Sequence, residues 1–133
     1  MRILIVDHNI ELWDEYKSLL SDYNECDFAE NSFEAIEKFA DAIKTFVWYD
    51  AVIIEQGLPD IDGVKTLRLF KKLEDFKATA AANLAKIIMT SATPDEEFVK
   101  NCIKHRCDGF LVKPIDKASL NKALNKFDIK IYS

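Results

Sequence analysis

At 133 residues, 49% hydrophobic and 31% charged, the chain has the make-up of one soluble globular domain able to bury its own core. The net charge of −5, with basic residues gathered only in Lys71-Lys72 and Lys104-His105-Arg106, excludes non-specific binding to nucleic acid or to an anionic membrane surface. The apolar stretch before Asp7 is too short for a signal peptide, and no apolar run approaches the ~18 residues of a membrane span.

The cysteines Cys26, Cys102 and Cys107 are odd in number and lack CxxC spacing, which predicts a reduced, cytoplasmic setting. Cys102, His105 and Cys107 superficially offer metal ligands. A closed zinc site takes four, however, and Cys102 lies at core spacing from Phe98 and Val99.

In chain order, residues 2–6 read as a buried strand ending at Asp7. A helix follows from about Asn9 to Asp22, with Leu12, Tyr16, Leu19 and Tyr23 on one face. Residues 26–29 form a short second strand. Asn31 with Glu34 marks a helix N-terminus, and that helix turns Ile36, Phe39, Ala40 and Ile43 inward. Phe46-Val47-Trp48-Tyr49 is an aromatic connection packed around the entry to the next strand. That strand, Ala51-Val52-Ile53-Ile54, does not alternate with polar residues and so is buried on both faces; it ends in Glu55. Gly57, Pro59 and Gly63 punctuate the loop beyond it.

A third helix spans Val64 to about Lys77, and the small-residue stretch 78–83 either prolongs it or forms a loop. Residues 86–90 make a fourth strand ending in Ser91-Ala92. Thr93-Pro94-Asp95-Glu96 reads as an N-cap, a proline in the first turn and a capping-box acid, opening a helix to about Arg106. Residues 109–112 form a fifth strand leading to Lys113-Pro114. Asp116 caps a last helix with Leu120, Ala123, Leu124 and Phe127 inward. Ile129, Ile131 and Tyr132 of the tail, residues 128–133, either add an edge strand or pack on that helix.

Apolar strands alternating with helices predict an α/β domain, a parallel sheet covered on both faces with right-handed crossovers. In such a sheet the strand C-termini share one edge, so Asp7, Glu55, Ser91 and Lys113 converge there. Two carboxylates, a hydroxyl and an ammonium suit a phosphoryl group with a divalent cation.

Ile3-Leu4-Ile5-Val6-Asp7, the acid four residues before Pro59 with Asp62-Gly63 beyond, Ile87-Ile88-Met89-Thr90-Ser91-Ala92 and Gly109-Phe110-Leu111-Val112-Lys113-Pro114 occur in one order. On these motifs, residues 1–127 resemble the receiver domain of two-component response regulators. The resemblance implies a flavodoxin-like (βα)5 fold, without independent enzymatic turnover. It further implies phosphoryl transfer from a sensor histidine kinase or phosphotransfer protein to an acceptor carboxylate with Mg2+. Ser91 and Lys113 would grip the phosphoryl group, Phe110 would be the switch aromatic, and a downstream protein would bind the face made by the fourth helix, fifth strand and fifth helix. Asp7, Glu55 and the Gly57 carbonyl would face the metal.

Two positions depart from the family. The acceptor Asp is Glu55, whose carboxylate reaches about 1.5 Å further, and the second pocket acid is His8, which removes a hard oxygen ligand. Both predict a degenerate pocket. Either Glu55 reaches Lys113 and mimics the phosphorylated state, or the pocket is a relic in a protein-binding module, or weak Mg2+ binding and phosphorylation at Glu55 persist. In the relic reading, His8 beside carboxylates is a candidate pH-sensitive group. Asp7, Asn9, Ser91 and Lys113 also loosely resemble Asp-based phosphohydrolases, which would leave Glu55 and Asp62-Gly63 unexplained. A flavodoxin-type FMN protein would need a phosphate cradle that the first turn lacks. The expectation is a stand-alone receiver acting through protein–protein contact.

Overall fold

Helix caps and apolar strands set the element boundaries. A computed structural model of the chain describes residues 1–20 and 25–125. The elements are β1 (Arg2–Val6), α1 (Glu11–Leu19), β2 (Glu25–Ala29), α2 (Ser32–Thr45), β3 (Ala51–Glu55) and α3 (Gly63–Phe76). A 3₁₀ turn (Ala81–Asn83) leads to β4 (Lys86–Ser91), α4 (Glu96–Lys104), β5 (Gly109–Val112) and α5 (Lys117–Asn125). The strands are parallel, as the alternating pattern predicts, in the order β2-β1-β3-β4-β5, the flavodoxin-like arrangement that the resemblance implies. No helix among the described residues is long and apolar enough to cross a membrane.

Alternate strand residues feed two cores, as the two-residue repeat of a strand requires. Ile3, Ile5, Ala51, Ile53 and Ile88 meet Tyr16 and Leu20 from α1 and its end, and Leu120 and Leu124 of α5. Leu4, Val6, Val52, Ile54, Ile87 and Met89 meet α2, α3 and α4 through Phe39, Ile43, Leu67, Phe70, Phe98 and Cys102. Phe39 and Phe70 stack with centroids 4.3 Å apart and bind α2 to α3.

Two caps, Asn31 and Asp116, lie where the sequence places them, and the structure adds Asp62 as a third. The side-chain oxygens of Asn31 and Asp116 accept from the amides of Glu34 and Ser119, and Asp62 accepts from Lys65 at the entry to α3. The start of α4 differs from expectation. Asp95, not Thr93, is the cap, and its Oδ1 accepts the Phe98 amide at 2.8 Å. The Thr93 amide is committed instead to Ser91 Oγ at 3.1 Å, which keeps Thr93 and Pro94 in the loop.

Helix α1 begins at Glu11, later than predicted, because Asn9 Oδ1 accepts the Glu11 amide and draws the preceding residues into a turn. It ends at Leu19, short of the predicted Asp22, because Leu20 turns to an extended conformation and its amide closes on the Tyr16 carbonyl; Tyr23, the inward Phe127 and the tail 128–133 lie outside the described residues. Residues 78–83 leave the helix: Ala78 takes φ 50°, and the 3₁₀ turn follows. Of the aromatic connection, Tyr49 is buried and Trp48 packs against the core, whereas Phe46 and Val47 are exposed.

Candidate functional site

The sheet order reverses at β1, since β2 lies on one side of it and β3 on the other. Ligand sites in open α/β sheets form at such a reversal, outside the strand C-termini. Asp7 follows β1 directly, and Glu55 ends β3, its paired neighbour. Ser91 ends β4 beside Val112, and Lys113 leaves β5.

Three of these side chains and His8 form one bonded cluster. Lys113 Nζ lies 2.7 Å from Asp7 Oδ2 and 3.3 Å from Glu55 Oε1. The other Glu55 oxygen, Oε2, accepts the His8 amide and meets His8 Nδ1, each at 2.5 Å. Asp7 Oδ1 accepts the Asn9 amide at 2.9 Å. Asp7 and Glu55 are buried, while His8 is exposed.

Burial and bonding shift the two acids in opposite directions. Desolvation dominates at Asp7 and lifts its carboxyl above the ordinary value, against the Lys113 and Asn9 bonds and with the help of the Glu55 charge. Desolvation also acts upward on Glu55. There the His8 amide and ring, Lys113 and a bond shared with Asp7 outweigh it, and the carboxyl is held below its usual value.

Ser91 stands apart from this cluster. Its hydroxyl donates to Gln56 Oε1 at 2.6 Å and accepts the Thr93 amide. Phe110 is half-buried, edge-to-face with Phe98 at 6.2 Å, and packs against the α2–α4 core. Gly57 is exposed in the loop after β3. Gly63 is the glycine that geometry demands: a Cβ there would lie 2.2 Å from the Glu55 carbonyl oxygen. Its amide donates to the Gln56 carbonyl at 2.8 Å, closing the loop against the strand.

Several contributors escape a reading by motif. Trp13 stacks on Phe28 and donates its indole N–H to the Asp7 carbonyl at 3.0 Å, tying α1 to the pocket. Gln56 occupies the Ser91 hydroxyl. Asp60 accepts the Ser32 and Phe33 amides at 2.9 Å each, so the loop after β3 also caps α2. Desolvation pushes its carboxyl upward, but the amides of Ser32 and Phe33, with those of Ile61 and Asp60, together outweigh it and hold the carboxyl below its ordinary value. The only sequence signal for Asp60 was an acid within a turn-rich loop. An apolar cleft of about 260 Å³, lined by Leu12, Tyr16, Leu19, Pro114 and Ile115, opens beside the pocket at Lys113.

Asp7, His8 and Glu55 bring one potential ligand atom each within 4.8 Å of one another. As a Mg2+ site this set fits poorly. Mg2+ takes an octahedron of oxygens, whereas here an imidazole contributes one of the three ligand atoms and is already bonded to Glu55, and the Lys113 ammonium sits between both carboxylates.

The response regulator receiver domain family matches residues 3–125. The chain is 30% identical over 128 residues to chemotaxis protein CheY of Listeria monocytogenes, covering 95% of this chain and 97% of that one. Among solved structures, a CheY-like receiver domain protein from Methanospirillum hungatei superposes with a TM-score of 0.77 at 21% identity, covering 95% and 91% of the two chains. The CheY of a CheX-CheY-BeF3-Mg2+ complex from Borrelia burgdorferi gives 0.74 at 22% identity, over 98% and 90%. Receiver domains hold Mg2+ in an acidic pocket and work with histidine kinases or phosphotransfer proteins and downstream effectors. The parallel fold, the strand-edge cluster and these similarities agree: the chain belongs to the response regulator receiver domain family of two-component signalling.

Proposed function

We propose that this receiver signals by protein–protein contact without Mg2+-dependent phosphorylation, its pocket held closed by its own side chains. The observation that carries this reading is the engagement of both Glu55 oxygens by the chain's own groups. Oε2 has the His8 amide and ring at 2.5 Å, and Oε1 has the Lys113 ammonium at 3.3 Å. A carboxylate attacks phosphorus through a lone pair; here Oε2 carries two contacts and Oε1 faces the Lys113 ammonium, so attack by either oxygen competes with bonds already made. Lys113, which would neutralise an incoming phosphoryl group, is committed to Asp7 and Glu55.

In this reading Glu55 takes the place of the phosphoryl group toward Lys113, while the hydroxyl of Ser91 is kept by Gln56. The partner face is α4–β5–α5, where Ile103 and Val112 stand 63% and 57% exposed beside the half-buried Phe110.

Trp13 provides the test, because its indole is bonded to Asp7. In a Trp48→Phe background, Mg2+ is expected to leave Trp13 emission unchanged, and His8→Asp/Glu55→Asp to make it respond. A saturable Mg2+ response of the unmodified pocket would overturn the reading.

A further inference from the structure

Helix α4 ends in a backbone ring that brings two thiols together. The Cys107 amide donates to the Cys102 carbonyl at 3.0 Å, the Arg106 amide donates to the Ile103 carbonyl at 3.1 Å, and Arg106 adopts φ 68°. This is the Schellman closure, in which the side chains of the first and last residues of the ring meet on the core side. Here those residues are both cysteines. Cys102 is fully buried and Cys107 partly, and both pack with Phe98 and Phe110 in the same core.

The interaction with Cys102 is the main influence holding the Cys107 thiol below its ordinary value. The Gly109 amide and Lys71 act in the same direction; burial and Asp108 oppose them. The neighbouring Cys107, with burial, moves the Cys102 thiol upward. Reactivity follows thiolate character and exposure. Cys107, the partly exposed thiol, is the sulfur a peroxide reaches, and the fully buried Cys102 beside it is placed to resolve. Cys26 on β2 is raised by burial and by Asp27, with no thiol neighbour, and serves as an internal comparison.

We propose that Cys102 and Cys107 are a redox modification site, which closes to a disulfide when the chain meets hydrogen peroxide. The Cys107 thiolate attacks one peroxide oxygen; the O–O bond breaks and hydroxide leaves, giving Cys107 sulfenic acid. The Cys102 sulfur then attacks the Cys107 sulfur and the S–O bond breaks, the departing hydroxyl leaving as water with the Cys102 proton. Two thiols are oxidised by two electrons, and the peroxide is reduced to water. A dithiol reductant reopens the bond by exchange. The cross-link fastens the last turn of α4 to the entry of β5, and so fixes the contact between Phe98 and Phe110 on the proposed partner face.

The test treats the full chain with dilute hydrogen peroxide, alkylates the remaining thiols and digests with trypsin. Cleavage after Lys104 and Arg106 separates the two cysteines into different peptides, which stay joined only through a disulfide. The expected result is a joined pair that dithiothreitol releases, with Cys26 alkylated throughout. In Cys102→Ala the joined pair is absent and Cys107 proceeds to sulfinic acid. Should that variant not fold, Cys107→Ser, at a partly exposed position, must leave Cys102 alkylated and unoxidised. Sulfinic acid at Cys107 of the unmodified chain without a joined pair, full alkylation of both residues after treatment, or a joined pair involving Cys26 would each overturn the proposal.

Discussion

Glu55 Oε2 receives the backbone N–H and meets the ring Nδ1 of a single residue, His8, at 2.5 Å each. One histidine thereby grips the carboxylate at the tip of β3 from two directions. The partition of charge in the pocket follows. Glu55 is held below its ordinary value of 4.5, and Asp7, the more deeply buried acid, is raised above its ordinary 3.8.

The first prediction concerns these opposite shifts. A lowered folded pKa makes Glu55 contribute stability that is present above 4.5 and lost as the pH falls through the folded value. A raised one makes ionised Asp7 cost stability above its folded value, a cost that disappears on acidification. Carbon-detected NMR should show the Asp7 midpoint above its ordinary 3.8 and the Glu55 midpoint below its ordinary 4.5. His8→Ala should raise the Glu55 midpoint, because the ring contact is lost while the amide bond remains.

Gly63 carries the second prediction. A methyl group there would lie 2.2 Å from the Glu55 carbonyl oxygen, a backbone atom that moves only with β3. Gly63→Ala should destabilise the fold by about 1–3 kcal/mol, as overpacking does, read as a lowered denaturation midpoint. It should also shift the NMR signals of Glu55 and His8.

The third prediction comes from helix ends. Schellman closures end α2, α3 and α4 at Phe46, Ala78 and Arg106, with φ of 60°, 50° and 68°. None is glycine, and the left-handed region costs an L-residue about 1–2 kcal/mol. Ala78 is exposed, so little packing opposes a change there. Ala78→Gly should stabilise the chain by up to about 1 kcal/mol, measured as a raised midpoint in chemical denaturation; a lowered midpoint would contradict the strain argument.

The same three positions explain where the sequence was hard to read. Uninterrupted apolar runs announced the buried strands, and Asn31 and Asp116 announced their helices, because those signals act within a few residues. The α2, α3 and α4 ends carry no glycine, so the usual stop signal was absent and the end of α4 was placed too far along, at Arg106. Thr93-Pro94 met the pattern of a helix start, but a serine hydroxyl from the strand end had claimed the Thr93 amide. The strand-edge convergence of Asp7, Glu55 and Lys113 followed from parallel topology alone. The Gln56 bond to Ser91 and the reach of Asp60 to α2 join distant segments, and no local spacing encodes them.

The central claim is that His8 and Glu55 together close the pocket to phosphoryl transfer. Intact mass after incubation with a small acyl-phosphate donor and Mg2+ tests it most directly, on the unmodified chain and on His8→Asp/Glu55→Asp in parallel. The account predicts no phosphoryl adduct on the unmodified chain and one on the double variant; an adduct on the unmodified chain would contradict it.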